Sequence, residues 1–291
     1  MTLKPVHIAL AILVTAIWGF NFVVIKVGVA HVPPLLLTGL RFLFAGLPAA
    51  FFVAKPKTEW RYIASFGFAL GVVKFGLLFV AIHLGLSASL ASLVMQLQVF
   101  FTILFAAVLM GETPKPNQIL GAVVAFIGIA IIAASRWSGP ELMPLGLCVL
   151  AAFTWGIANI IAKKSGEKNV FAFIIWASLI PPLPLFALSW MTEDRALIVQ
   201  TITHPSWLTI GSVLFLASLA TVFCFGLWNR LLSQYPAATV TPFALLVPVF
   251  GIASGVLFLN EPFGGAAIIG SLFVFAGLLM NMFGAALFKA I

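Results

Sequence analysis

Ten apolar runs, most of them about 18 to 25 residues long, cover almost all of this chain, and its charged residues collect in the short gaps between them. At a rise of about 1.5 Å per residue, about 20 apolar residues cross a hydrocarbon core of about 30 Å. No water reaches the peptide groups there, so a spanning segment must satisfy its own backbone, as a helix does. The runs place spans at Val6–Ala30, Pro34–Ala54, Tyr62–Ile82, Ala88–Met110, Gln118–Ala134, Pro144–Ala162, Val170–Met191, Leu208–Asn229, Ala237–Leu259 and Ala266–Leu287. The expected fold is an all-α membrane protein of ten transmembrane helices.

Composition closes off the other classes. With 63% hydrophobic and 8% charged residues and a mean hydropathy of +1.21, a soluble fold is excluded. A formal charge of +8 would suggest nucleic acid in a soluble protein, but here the basic residues stand singly or in threes beside apolar runs. They read as topology signals, and no nucleic-acid partner is expected. Cys148 and Cys224 lie inside apolar runs, and neither His83 nor His7, His31 and His204 show ligand spacing. No disulfide, metal or other cofactor is expected. The first run is too long for a signal-peptide core and lacks a small-residue cleavage site, so it should stay as an uncleaved span.

The basic residues also give direction. Taking the gaps alternately, one set holds Lys4, Lys55, Lys57, Arg61, Lys115, Lys163, Lys164, Lys168, Arg230 and Lys289, and the other only Arg136 and Arg195. By the positive-inside rule both termini are cytoplasmic, in a membrane crossed many times. Three basic residues, Lys26, Arg41 and Lys74, remain within spans.

The chain repeats itself once. Trp18–Lys26, WGFNFVVIK, matches Trp155–Lys163, WGIANIIAK, and a Glu-containing helix end recurs as Gly111–Thr113 and Asn260–Pro262. After each Glu the same glycine spacing follows, Gly121 and Gly128, then Gly270 and Gly277. Each half, 1–136 and 137–291, holds five spans, and an odd-numbered repeat must cross the membrane in the opposite sense the second time. Inverted halves are the architecture of a transporter with a midplane site.

Four segments carry a family resemblance: Trp18–Gly28, Pro33–Phe42, Ser87–Ile103 and Leu245–Glu261. Through them nearly the whole chain resembles the drug/metabolite transporter superfamily and its amino-acid metabolite exporter (EamA) branch, and looks most like bacterial exporters of O-acetylserine and cysteine. The resemblance implies a ten-helix inner-membrane carrier that exports amino acids or their metabolites.

Lys74 is the most informative candidate, about twelve residues into the third span and so near the midplane. A lysine there costs about 2.5 to 3.5 kcal/mol on insertion scales, and no Asp or Glu lies deep in any span to pair with it. Its partner is then water, a backbone carbonyl or an anionic substrate group; the alternative is a lysine snorkelling along its helix. Arg41, about seven residues inside the second span, has a planar fork suited to a carboxylate, or else ties helices together through carbonyls. Lys26 and its repeat mate Lys163 are expected to snorkel to opposite headgroup layers.

Trp18 and Asn21 share a face of the first helix, as do Trp155 and Asn159 of the sixth. Either the amides bond between helices, or indole and amide line a cavity and receive a substrate ammonium. In the fourth span Ser92 and Gln96 form one polar line, Gln98 and Thr102 another, one serving packing and the other a wet path. The ninth carries Thr241, Pro242 and Pro248, whose prolines free carbonyls beside a cavity or merely kink the helix. Glu112 and Glu261 end their helices, where a carboxylate opposes the macrodipole, and are expected to be turn anchors held by the amides that open the next helix, the alternative being a proton-linked gate.

These features point to a secondary exporter of small amino acids or their acetylated relatives, with no enzymatic role. Protons are a candidate coupling ion, lipids the surroundings, and a monomer or weak homodimer the expected state. No P-loop supports direct ATP drive. An exporter of cationic drugs would want an intramembrane acid, and a lipid-modifying enzyme would want clustered His and Asp at an interface; the spans lack the first and the short loops lack the second.

Overall fold

The computed structural model describes residues 4–135 and 142–287, so Arg136 and Lys289 lie outside the described residues. Within them every regular element is helical: α1 Pro5–Val29, α2 Pro34–Ala50, α3 Trp60–His83, α4 Ala88–Met110, α5 Pro116–Ala134, α6 Leu142–Ser165, α7 Val170–Thr192, α8 Trp207–Gln234, α9 Thr241–Leu259 and α10 Gly265–Leu287. Among the described residues nine are long and apolar enough to cross a membrane, while α2 is shorter at 17 residues.

Local sequence explains the ends. Pro5, Pro34 and Pro116 open α1, α2 and α5, where the missing N–H costs nothing because no intrahelical acceptor exists there. Gly111 (φ 70°) and Asn260 (φ 51°) close α4 and α9 in the left-handed conformation that these two residue types tolerate best. The second helix stops at Ala50, short of the expected Ala54, two residues after Pro48 deprives it of a ladder hydrogen bond. One helix is additional to the expected spans, Arg195–Thr203, whose opening amides at Ala196 and Leu197 donate to Asp194 Oδ1.

Four spans are irregular, in pairs. Both α3 and α8 carry a π-helical stretch, Phe68–Phe75 and Phe215–Phe223, and both α4 and α9 tighten into a 3₁₀ turn, Met95–Leu97 and Thr241–Leu245. The seventh span breaks at residues 178–181, where Pro181 and Pro182 follow in succession and neither has an N–H to donate to the preceding turn. Gly71 of the π stretch lies against the Pro181 ring with no room for a Cβ, so the wide turn of α3 and the break in α7 fit into each other.

The glycines after the two helix-end glutamates pack face to face. A Cβ at Gly121 would meet the Gly277 carbonyl at 2.5 Å, Gly128 and Gly270 touch in the same way, and Asn117 donates to the Met280 and Asn281 carbonyls. Because the obstructing atoms are backbone, the helices must part to admit a side chain. Gly121→Val should therefore destabilise the protein by about 2 to 3 kcal/mol, read as a lower melting temperature in detergent; an unchanged melt would show that α5 and α10 separate freely.

The end of the bundle bearing the α1–α2 loop is closed by cross-links between spans. Lys26 Nζ donates to the Ile82 and Leu86 carbonyls at 3.1 and 3.2 Å, and His83 Nδ1 lies 2.9 Å from the Val29 carbonyl. Lys26 thus turns inward rather than snorkelling outward, reaching the Ile82 carbonyl in the last turn of α3 and the Leu86 carbonyl in the loop that follows. Ile25, Leu37, Phe79, Ile82 and Leu86 are fully buried here. At the opposite end Lys163 pairs with Glu112 at 2.5 Å, both half-exposed. Glu167 there accepts from the Thr58 and Asn169 amides, and these backbone bonds, that of Asn169 foremost, hold its carboxyl below the ordinary range.

Candidate functional site

Arg41 and Lys74 come together from α2 and α3 and are 3% and 4% exposed. The Arg41 Cζ lies 4.2 Å from the Phe75 ring centroid, and the Lys74 Nζ lies 3.2 Å from the same centroid and 4.4 Å from that of Trp155. Two cations over one ring, no more than about 7.4 Å apart, repel by about 2 kcal/mol at an effective dielectric constant of about 20. Aromatic faces offset part of this. Arg41 Nε and Nη2 donate to Thr221 Oγ1 at 3.4 and 3.2 Å, while Nη1 is buried with no acceptor among the described residues. Arg41 and Thr221 line a crevice of about 10 Å³, room for one water, walled by Phe66, Gly71, Ser178 and Pro181.

The π stretches make this arrangement. In an i to i+5 turn one carbonyl is left for other donors. Thr221 Oγ1 donates back to the Leu216 carbonyl at 2.8 Å, five residues earlier, and so turns its lone pairs to Arg41. Trp18 Nε1 donates to the Ala220 carbonyl at 3.0 Å from the same stretch. The first helix is thus fixed to α8 by the indole that sequence alone offered as a cavity wall, and Trp155 on α6 presents its ring to Lys74.

The amides go elsewhere. Asn159 donates to Gln98 Oε1 at 2.7 Å and Thr102 Oγ1 at 2.9 Å, so the second polar line of α4 joins α6. Ser92 and Gln96 face α9: Gln96 Nε2 donates to the Ala244 carbonyl at 3.3 Å in the 3₁₀ turn, and Ser92 packs on Gly251 while its hydroxyl donates to Ser89 O. Asn21 is buried with its Oδ1 unpartnered among the described residues, and Thr241 is exposed at the start of the same 3₁₀ turn. None of Asn21, Gln96 and Asn159 lines the Arg41 crevice.

Glu261 is held by helix-opening amides, though not those of the helix that follows it. Its Oε1 accepts from Ala88 N at 2.6 Å and its Oε2 from Ser89 N and Ser89 Oγ at 2.9 and 2.6 Å, capping α4. Glu193 does the same for α2, accepting from Leu35 N at 2.7 Å and Leu36 N at 3.3 Å, with Ser189 Oγ donating to it. Sequence reasoning missed Glu193 and Thr221. An acid directly after a span with a serine four residues before it was a visible signal for the first; a single threonine in an apolar run gave none for the second. Among the described residues no His, Cys, Asp and Glu cluster could hold a metal.

The EamA-like transporter family matches residues 6–134 and again 142–283. The chain belongs to that family. Among EamA-like relatives, a probable amino-acid metabolite efflux pump of Escherichia coli is 39% identical over 288 residues, covering 97% of this chain and 96% of the relative. A pump of the same description from Salmonella typhimurium is 41% identical, covering 94% of each. An uncharacterized transporter of Bacillus subtilis is 27% identical, covering 93% and 94%. A solved crystal structure, 19% identical, superposes with a TM-score of 0.66 over 99% of this chain and 100% of the other, which shows a shared fold. This EamA-like chain is therefore a multi-pass membrane transporter, as its resemblance implied.

Proposed function

We propose that this protein is a bacterial inner-membrane secondary transporter that exports small amino acids or amino-acid metabolites, of the O-acetylserine and cysteine kind, from the cytoplasm by alternating access. The observation that carries the reading is the 39% and 41% identity, over nearly the full length, to two probable amino-acid metabolite efflux pumps. In this reading Lys74 and Arg41 bind the substrate carboxylate, with Trp18, Asn21, Ser92, Gln96, Trp155, Asn159 and Thr241 along the path between the two faces. The cationic-drug alternative is disfavoured because no acid lies within a span.

The same reading counts ten spans in two inverted five-helix halves, 1–136 and 137–291, with both termini cytoplasmic. Support comes from the paired irregularities of α3 with α8 and α4 with α9, the paired left-handed helix ends, and the two separate family matches. With the termini inside, the cross-linked α1–α2 loop end faces outward, so this conformation is closed to the outside. Reporter fusions at Lys4 and Lys289 should both read cytoplasmic; opposite readings would break the ten-span arrangement.

Transport is tested in liposomes. Purified protein should move labelled cysteine or O-acetylserine well above protein-free vesicles, and adding a proton gradient separates proton antiport from facilitated diffusion. Vesicles containing folded protein that move neither compound, with either gradient, would overturn the reading.

A further inference from the structure

Matching carboxylates at the two ends of the bundle stand in unlike settings. The helical runs 88–110 and 237–259 correspond at one constant offset in sequence, which also pairs Gly111 with Asn260, Glu112 with Glu261, Gly121 with Gly270 and Gly128 with Gly277. Glu261 leaves the end of α9 and accepts from Ala88 N and Ser89 N, the opening amides of α4, so one carboxylate ties two spans together. Glu112 leaves the end of α4 and meets only the Lys163 ammonium, with both side chains half-exposed. Among the described residues no bond joins Glu112 to the helical turn Ala237–Val240 that leads into α9. The lysine mates follow the same division: Lys26 is bonded to the Ile82 and Leu86 carbonyls at the closed end, and Lys163 rests on Glu112 at the other. An exposed ion pair holds weakly. A carboxylate on the first amides of a helix gains charge-assisted hydrogen bonds at the favourable end of the macrodipole, and those amides have no acceptor within their own helix.

Resting on the inverted-repeat reading above, we propose that Glu112 is the inner counterpart of Glu261, a positioning residue that releases Lys163 when the cytoplasmic end closes and accepts from Ala237 N and Ala238 N. One carboxylate is latched at a time. Closing the inner latch draws the end of α4 onto the start of the run 237–259, while Glu261 gives up the start of α4 at the outer face. Glu112 thus stabilises the conformation opposite to this one, and the two latches together set which face the substrate path opens to. The sign distinguishes this role from that of a plain ion pair. If Glu112 served only to hold Lys163, its loss would weaken the present conformation, whereas loss of a latch used in the other state favours the present one.

A pair of variants with opposed effects provides the test. In the full-length protein with Cys148 and Cys224 replaced by alanine, Ser92→Cys reports the outer seal, about 30 Å along α4 from Glu112. A residue that merely anchors an inner loop would not change that report. Glu261→Ala should expose Ser92→Cys to an impermeant maleimide. Adding Glu112→Ala should then slow the labelling at least about tenfold, because loss of the second latch returns the equilibrium toward the present conformation. A double variant that labels as fast as Glu261→Ala alone, or faster, would overturn the proposal. A direct contact test serves if the outer seal does not respond or the double variant does not fold. Glu112→Cys with Ala238→Cys, in the same cysteine-free background and in vesicles supplied with O-acetylserine, should be joined by a short bifunctional methanethiosulfonate, stopping transport until reductant is added. Folded protein that transports O-acetylserine and never cross-links would overturn the proposal and leave the transporter reading in place. Termini on opposite faces of the membrane would remove the inversion and the latch with it.

Discussion

Lys74→Met should remove export of cysteine or O-acetylserine and at the same time make the protein more stable. The ammonium is 4% exposed, has no ion pair among the described residues, and lies over the same ring as the Arg41 guanidinium. Replacing it with an apolar side chain of similar length removes an insertion cost of about 2.5 to 3.5 kcal/mol and relieves like-charge repulsion. The melting temperature should rise. A substrate carboxylate left in that site without its cation costs several kcal/mol, so affinity should fall at least about tenfold. Cells overproducing the variant should tolerate a toxic cysteine load no better than cells without the protein. Full tolerance at normal expression would remove Lys74 from the substrate site and leave Arg41 as its cation. The two opposed signs matter, because a purely structural lysine would lose stability and activity together.

Glu261→Ala should open the closed end. This one carboxylate accepts three hydrogen bonds at the start of α4, from Ala88 N, Ser89 N and Ser89 Oγ. Each buried amide left without an acceptor costs about 1 to 3 kcal/mol, and the loss of the charge at a helix N-terminus adds to this. The donors regain water when α4 and α9 part at that end, so the cost falls on the closed state alone. A shift of about 2 kcal/mol moves the equilibrium about thirtyfold toward opening. Ser92 is 1% exposed beneath this seal, packed on Gly251. With Cys148 and Cys224 replaced by alanine, Ser92→Cys should resist an impermeant maleimide in the otherwise native protein and react with it in the Glu261→Ala background, while transport falls. An unreactive Ser92→Cys together with full transport would reduce Glu261 to a loop anchor.

What was legible in the sequence followed from the bilayer. Helices in lipid form wherever about 20 apolar residues run together, because each hydrogen bond closes within the segment. The starts of α1, α2 and α5 were announced by prolines and the ends of α4 and α9 by Gly111 and Asn260. The burial of Arg41 and Lys74 was also legible, since no exposed lipid-facing position holds such charges cheaply. Their position over one ring was not, because it depends on how α2 is set against α3 and on the π stretch that α3 carries there. An apolar run reads the same whether its turns contain 3.6 residues or more.

The partners of polar groups were likewise invisible. Asn159 could have faced a cavity or a seam, and the choice of Gln98 and Thr102 depends on how α6 is rotated against α4. Lys26 took carbonyls at the end of α3 instead of headgroups, and Glu261 took the amides of α4 instead of those of α10. Sequence therefore determined the membrane, the helices and which residues would be buried with charge, all of which depend on transfer between water and hydrocarbon and need only the residues themselves. Tertiary structure alone decided which buried groups meet, because a hydrogen bond or cation–π contact falls off within about an ångström or two of its optimum and spans distant in sequence must first be brought into register.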